Sequence, residues 1–524
     1  MNNKKRIVTA TLGLIALGML SACHSGMKTE VNSQTSKNQG ISVNSSLYRN
    51  FYEIFTGSFA DSNGDGEGDL NGVTEHLDYL NTGNPKSTTD LKVNGLWMTP
   101  IFASPSYHGY DVSNYEEINP KMGTMADFER LIKSAKQRGI AVILDLPFNH
   151  TSTENAWFKK ALAGDQKYMA YYNWSDTAKQ GYSLASNGKY YESEFDKGMP
   201  DLNLSNPDVK AELAQITKFW LKKGVSGFRL DAVLYYYQND DQKTTAFTKW
   251  LVKTIKSQDK NAYVVGEVFS DALDIDSIYG SKIDSLFNFP LAVNSSSSML
   301  NNAVNFAQGN LFETQVTDWD QEIHKDYAGA IDAPFLSNHD TNRSSNMFQN
   351  LASQKMAAST YLLLPGNPFI YYGEELGMNG DGIDQNKRLP MQWTQNQTDS
   401  PKAPAGSTES VSTDGGSVAS QQANPQSLLA WYKKVLRVKA LYPSLARERI
   451  KAVEVKNSSL SVINYGKDLT VVNNFSSTQT QTIKLPKAVN GHHLASSLVI
   501  SSGAVKWADG KLVLPAYSTA ILKK

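Results

Sequence analysis

The sequence predicts an α/β fold: a closed (β/α)8 TIM barrel with a structured insertion after its third strand and an antiparallel β-sandwich at the C-terminus. Three observations carry this expectation. Eight short, nearly continuous apolar runs alternate with longer amphipathic segments, as strands covered on both faces by crossover helices require. Residues 151–205 form a long polar and aromatic stretch between a strand and its helix, where barrels place substrate-shaping structure. Beyond Leu441 helical spacing gives way to short strand-like runs.

The expected barrel strands are Phe51–Phe55, Gly95–Thr99, Ala141–Asp145, Gly227–Asp231, Tyr263–Glu267, Asp284–Phe289, Ala333–Ser337 and Phe369–Tyr372. The helices between them carry punctuation. Thr124 can cap a helix that Gly139 ends, and Ser205 or Asn206 caps the next, with Pro207 in its first turn and Gly224 as its stop. Val209, Leu213, Ile216 and Trp220 form one buried stripe in that helix, and Phe247, Leu251 and Ile255 another in the following one. Residues 395–426, rich in Ser, Gly, Thr, Gln and Pro, read as an exposed loop before a helix over Ser427–Leu441. Leu460–Tyr465, Leu469–Asn473, Thr480–Leu485 and Tyr517–Leu522 read as sandwich strands. The expected domains are 47–444 for the barrel with its insertion and 445–524 for the sandwich.

Composition narrows the function. The 524 residues carry 51 Lys plus Arg against 51 Asp plus Glu, without the basic excess expected of a nucleic-acid binder. An apolar fraction of 40% excludes a disordered chain. The 25 Tyr, 20 Phe and 9 Trp suit a sugar-binding surface and suit a large core equally.

A single cysteine, Cys23, rules out an internal disulfide. Lys4, Lys5 and Arg6 precede an apolar run from Ile7 to Leu20, the pattern of a secretory signal and shorter than the roughly 20 residues of a membrane span. Leu20-Ser21-Ala22-Cys23 resembles the lipobox of bacterial lipoproteins. That resemblance implies removal of residues 1–22, lipid on Cys23, and a place on the extracellular face of the bacterial membrane; an ordinary signal peptide is the alternative. Residues 23–46, mostly Ser, Asn, Thr, Gln, Lys and Gly, read as a flexible tether.

The candidate chemistry lies at strand ends. Asp145, Asp231 and Glu267 each close a strand, and Asp340 lies just beyond another. Four carboxylates on one rim are costly unless used, and glycoside hydrolysis needs two of them flanking one bond. Asp145-Leu146-Pro147-Phe148-Asn149-His150, Gly227-Phe228-Arg229-Leu230-Asp231, Gly266-Glu267 and Phe335-Leu336-Ser337-Asn338-His339-Asp340 resemble, in order, four signature regions of the α-amylase family of glycoside hydrolases. Gly95–Pro100, Met199–Asn203 and Gly366-Asn367-Pro368 add three more family-like patches.

The resemblance implies roles. Asp231 would be the nucleophile, kept ionised by Arg229, and Glu267 the general acid and then base, with a raised pKa. Asp340 would stabilise the oxocarbenium-like transition state. Tyr110 would stack beneath the reacting sugar, His150 and His339 would bind its hydroxyls, and Asp145 would orient Arg229. Asp61-Ser62-Asn63-Gly64-Asp65-Gly66-Glu67-Gly68-Asp69 looks like a calcium loop. Asp61, Asn63, Asp65 and Asp69 would ligate by side chain and Glu67 by its carbonyl, although Gly72 stands where an EF-hand has its last acid. Leu234 and Tyr235 replace a Lys-His pair common in α-amylases, which leaves a second calcium at Asn149 in doubt. Tyr107 stands where chain-end-gripping relatives carry Asp, which favours cutting inside or near the end of longer chains; Ala232 follows the nucleophile where α-1,6-cleaving relatives often carry Val, which leans towards α-1,4 bonds.

These features point to a monomeric, surface-tethered retaining hydrolase of starch-, maltodextrin- or glycogen-type glucans, with structural Ca²⁺ and no nucleic-acid partner. A transglycosylase, α-glucosidase or disaccharide isomerase of the same fold, and a non-catalytic glycan-binding lipoprotein, are the alternatives.

Overall fold

The structure, a computed structural model, describes residues 47–524 apart from 239, 271, 293–297, 397–398 and 509. The signal segment, the tether and Cys23 lie outside the described residues. Seven parallel strands form one sheet: β1 Phe51–Ile54, β2 Gly95–Met98, β3 Ala141–Leu146, β4 Gly227–Leu230, β5 Tyr263–Gly266, β6 Ser285–Leu286 and β7 Phe369–Tyr371. They pair in the order β6-β5-β4-β3-β2-β1-β7. The seventh expected strand, Ala333–Ser337, is reduced to single parallel bridges, Phe287 to Ala333 and Phe335 to Phe369, which close the ring. Pro334 accounts for the reduction, since it has no N–H to donate to a ladder.

Aromatic rings fill the ring's interior. Phe51 stacks on Phe369 at 4.5 Å and on Tyr263 at 5.1 Å, and Phe287 lies 4.9 Å from Phe369 and 5.2 Å from Trp97. Such bulk needs small neighbours: a Cβ on Gly95 would meet the Phe51 ring at 2.4 Å. Gly227 is more tightly constrained. It opens β4 at φ 154°, and a Cβ there would lie 1.9 Å from the Tyr263 carbonyl. Gly227→Ala should therefore lower unfolding stability by roughly 1–3 kcal/mol, read as a lower urea midpoint; an unchanged midpoint would show that β4 and β5 can part at no cost.

The helices start and stop where side chains dictate. Thr124 caps α1, Met125–Gln137, in a capping box with Asp127. Asn206 caps α2, Pro207–Lys222, and the expected stripe of Val209, Leu213, Ile216 and Trp220 is buried. The helix Asp241–Gln258, α3, buries Phe247, Leu251 and Ile255, and Ser427 caps α4, Leu428–Leu441.

The insertion after β3 holds two short helices and a three-stranded antiparallel sheet of Trp174–Ser175, Tyr182–Leu184 and Tyr190–Glu192. A bridge from His150 to Asp201 ties its two ends together, and one from Tyr172 to Leu202 holds its middle to the second end. The expected exposed loop at 395–426 needs correction: Val418–Ala423 is a helix, and buried Gln421 donates to the Leu376 carbonyl at 2.9 Å. Its polar composition hid an amide that satisfies backbone groups of the barrel.

The C-terminal region has a five-stranded antiparallel sheet and a three-stranded one. Val462, Val472 and Leu522 from the first share a core with Leu512 and Leu514 from the second. The four expected strands are present. Ile450–Ala452, His493–Val499, Lys506–Ala508 and Lys511–Leu514 are additional; the first and third are only three residues long, the second is largely half-exposed, and the fourth has an apolar run of just three, Leu512-Val513-Leu514.

Candidate active site

Parallel register builds the site. Asp145 on β3 lies opposite Arg229 on β4, and Arg229 lies opposite Val265 on β5. The next backbone bonds, Asp231 N–H to the Leu146 carbonyl and Glu267 N–H to the Leu230 carbonyl, continue that register past the strand ends. Side chains two residues apart share a face, so Arg229 and Asp231 point the same way.

Arg229 is fully buried and serves three carboxylates. Its Nη1 lies 2.8 Å from Asp145 Oδ1 and 2.5 Å from Asp231 Oδ1, and its Nη2 lies 3.1 Å from Glu267 Oε1. Trp97 and Tyr110 flank the guanidinium at 5.1 and 5.9 Å from their ring centres, and Trp97 Nε1 donates to Asp145 Oδ2.

One cation faces three acids, which disfavours ionising all three together. Burial lifts the Asp231 carboxyl, to about 7, against the pull of Arg229. Burial likewise raises Glu267, again opposed by Arg229. The closer Arg229 contact favours the charged form more strongly at Asp231 than at Glu267. Glu267 Oε2 accepts the Ala232 N–H at 3.1 Å. That N–H is aimed by a left-handed backbone at Ala232, φ 47° and ψ 46°, a conformation costing a non-glycine residue about 1–2 kcal/mol.

Asp340 sits at the rim with its side chain about one third exposed. His339 Nε2 contacts its Oδ2 and Arg388 Nη2 its Oδ1, both at 2.9 Å. Burial works against ionisation here, yet His339, Arg388 and Arg229 together hold the carboxyl far below the usual range. Tyr110 stacks parallel to His339, with centroids 5.5 Å apart, and its hydroxyl reaches Asp145 Oδ2 at 3.0 Å and His339 Nε2 at 2.6 Å. Buried His150 donates through Nε2 to the Tyr110 carbonyl at 3.2 Å and is kept neutral by burial, its pKa pushed down to about 4. Its Nδ1 has no partner among the described residues and is left as an acceptor.

All eight expected catalytic and sugar-binding residues thus share one rim. Sequence reasoning missed Glu53, whose carboxylate accepts from His339 Nδ1 at 2.6 Å, and gave Arg388 no role. Glu53 was visible as the one acid inside the apolar run Phe51–Phe55. At the replaced Lys-His positions, Tyr235 packs on Phe195 at 4.7 Å. Asn149 donates to Asp201 at 3.1 Å.

The 61–69 loop coils through its own polar side chains. Asp61 accepts the N–H groups of Gly64 and Gly66 at 2.7 Å, Asn63 accepts that of Asp65 at 2.9 Å, and Asp65 that of Glu67 at 2.8 Å. Glu67 pairs outward with Lys121, leaving only its carbonyl for the loop, while Asp69 caps the helix Leu70–Glu75 and holds Ser62. An all-oxygen donor set on a glycine turn suits a hard cation. Among the described residues, no three His, Cys, Asp or Glu already converge as a metal cluster.

Comparison with known proteins gives the same picture. The model of the alpha amylase catalytic domain matches residues 53–448, and that of the alpha-amylase SusG C-terminal domain matches 464–521. The chain is 36% identical over 499 residues to Alpha-amylase 3 of Dictyoglomus thermophilum, covering 92% of this chain and 94% of that one. It is 33% identical over 377 residues to the trehalose-6-phosphate hydrolase of Escherichia coli, covering 62% and 64%. The solved structure of Eubacterium rectale Amy13B superposes with a TM-score of 0.86 at 35% identity, over 92% of this chain and 96% of that one. With a family match across most of its length and a barrel rim that gathers the matching acids, this chain belongs to the α-amylase family of glycoside hydrolases.

Proposed function

We propose that the protein hydrolyses α-1,4-glucosidic bonds of starch- and maltodextrin-type glucans with retention of configuration, as a monomer. The observation that carries the reading is the single buried guanidinium shared by Asp231 and Glu267 at adjacent strand ends, with Asp340 beside them at the rim. In the first step Asp231 attacks the anomeric carbon while Glu267 gives its proton to the departing glycosidic oxygen. In the second, Glu267 takes a proton from water, whose oxygen displaces Asp231. Asp340 holds sugar hydroxyls and faces the developing positive charge. Tyr110 forms the floor beneath the reacting sugar, His150 Nδ1 accepts a hydroxyl proton, His339 lines the same subsite, and Asp145 orients Arg229.

Ala232 after the nucleophile supports the α-1,4 preference, and Tyr107 in place of a chain-end acid supports cleavage within or near the end of longer chains. On maltoheptaose the protein should release reducing ends and give steadily shorter products. Longer or rearranged sugars would instead make it a transglycosylase or isomerase, and no reducing ends at all would leave a glycan binder. We place it on the outer face of the bacterial membrane, held by lipid on Cys23 and the 23–46 tether, with a catalytic module over 47–444 and a sandwich module over 445–524.

Ca²⁺ would be held in the 61–69 loop by Asp61, Asn63, Asp65, Asp69 and the Glu67 carbonyl, where it supplies a structural cross-link. Such an ion stabilises the folded state by mass action, so a chelator should lower the melting temperature by on the order of 5 °C, and Ca²⁺ should restore it. A melting curve indifferent to chelator, in protein containing no metal, would reject the site.

A further inference from the structure

We infer that Glu53, on β1, is a positioning residue of the hydrolytic site, which fixes His339 as a doubly protonated cation and through it the orientation and charge of Asp340. The inference rests on the reading of Asp340 as the residue that stabilises the transition state.

Proton accounting carries it. Tyr110 has one hydroxyl proton. Asp145 is paired with Arg229 and accepts from Trp97, so it is an anion, and the Tyr110 proton goes to its Oδ2. The Tyr110 oxygen, 2.6 Å from His339 Nε2, is therefore an acceptor there, as is Asp340 Oδ2 at 2.9 Å. Both demand a proton on Nε2. On the other side of the ring Glu53 Oε1 lies 2.6 Å from Nδ1 and 3.3 Å from the His339 backbone N–H, and accepts from both. That demands a proton on Nδ1. A ring protonated on both nitrogens is an imidazolium.

The ring is fully buried, so its charge needs compensation from close by. The groups facing it are Glu53 from β1, Asp340 from its own segment, Tyr110 with Asp145 behind it, the edge of Trp97 at 5.6 Å, and Arg388, whose Nε donates to the His339 carbonyl at 3.1 Å. Asp340 is partly open to the cleft and must serve the substrate; Glu53 is 1% exposed and its carboxylate holds His339, by ring and backbone N–H. Burial alone would lower the His339 pKa, but Asp340 and Glu53 outweigh it and lift it to about 10. Burial raises the Glu53 carboxyl and His339 opposes this; its two accepted N–H bonds fit the carboxylate form.

Glu53→Gln tests the idea, because Gln can still accept from Nδ1–H but carries no charge. His339 then loses its Nε2 proton as the pH rises, and a nitrogen lone pair faces Asp340. The protonated form exists below the pKa, and the variant's pKa is lower, so activity is lost from the alkaline side. On maltoheptaose the alkaline limb should move down by about one pH unit or more, so that kcat falls roughly 10-fold or more on that limb while KM changes little. A merely structural Glu53 would lower the melting temperature and leave the limb in place. Superimposable pH profiles for variant and wild type would overturn the inference. Should the variant not fold, ¹⁵N-histidine NMR of the wild type decides: two N–H signals for His339 at pH 8 support it, and titration near 6.5 refutes it. Failure of the hydrolase reading would appear separately, as turnover that survives Asp231→Asn.

Discussion

Asp231→Asn should lower kcat on maltooligosaccharides by about 10⁴-fold or more, the scale seen when a covalent nucleophile is removed, while the melting temperature stays near that of the wild type. The substitution keeps the shape of the side chain and can still accept from Arg229 Nη1. It removes one of three acids crowded on a single guanidinium, so the folded state loses some repulsion as well as an attraction. What disappears is the anion that bonds to the anomeric carbon. Reducing-end release and circular dichroism on the same preparation separate the two effects. Turnover comparable to the wild type would dismantle the double-displacement reading.

Arg229→Met should have the largest effect on stability. The guanidinium is buried among Asp145, Asp231 and Glu267, and its removal leaves carboxylates in a site where, among the described residues, no other cation contacts Asp145. Breaking a buried pair by deleting one partner costs about 3–5 kcal/mol. The loss should depend on pH, with a definite sign. Without Arg229 the buried acids hold protons to higher pH than they do in the unfolded chain, so between their unfolded and folded pKa values the folded state binds more protons. Stability therefore falls as pH rises through that window, and the variant recovers on acidification. Urea unfolding at pH 5 and pH 8 should show a gap between variant and wild type that widens at pH 8. A gap that is equal at both values would mean that Arg229 acts by packing alone.

Much of the barrel was legible because its determinants are local. Thr124, Asn206 and Ser427 cap helices through groups two or three residues away, and the buried stripe of Val209, Leu213, Ile216 and Trp220 follows from helical spacing alone. The acids at the ends of β3, β4 and β5 could be placed on one rim because parallel strands of a barrel all point their C-terminal ends the same way. The expected strand Ala333–Ser337 failed as a ladder for a reason also written locally, the missing N–H of Pro334. The amphipathic signal weakened where elements were short or half-exposed, as in the C-terminal strands at Ile450–Ala452 and Lys506–Ala508, and where polar residues were buried for their hydrogen bonds, as at Gln421.

By itself the sequence determined the strand–helix alternation, the order of the acidic motifs along the chain and the glycine-rich loop at 61–69. These depend on residues within a few turns of one another. The closed ring alone decided that Glu53 meets His339, 286 residues away, and that Arg388 reaches Asp340 across 48. Such contacts have no periodicity to announce them. They exist because β7 returns to pair with β1, and that pairing is a property of the whole sheet.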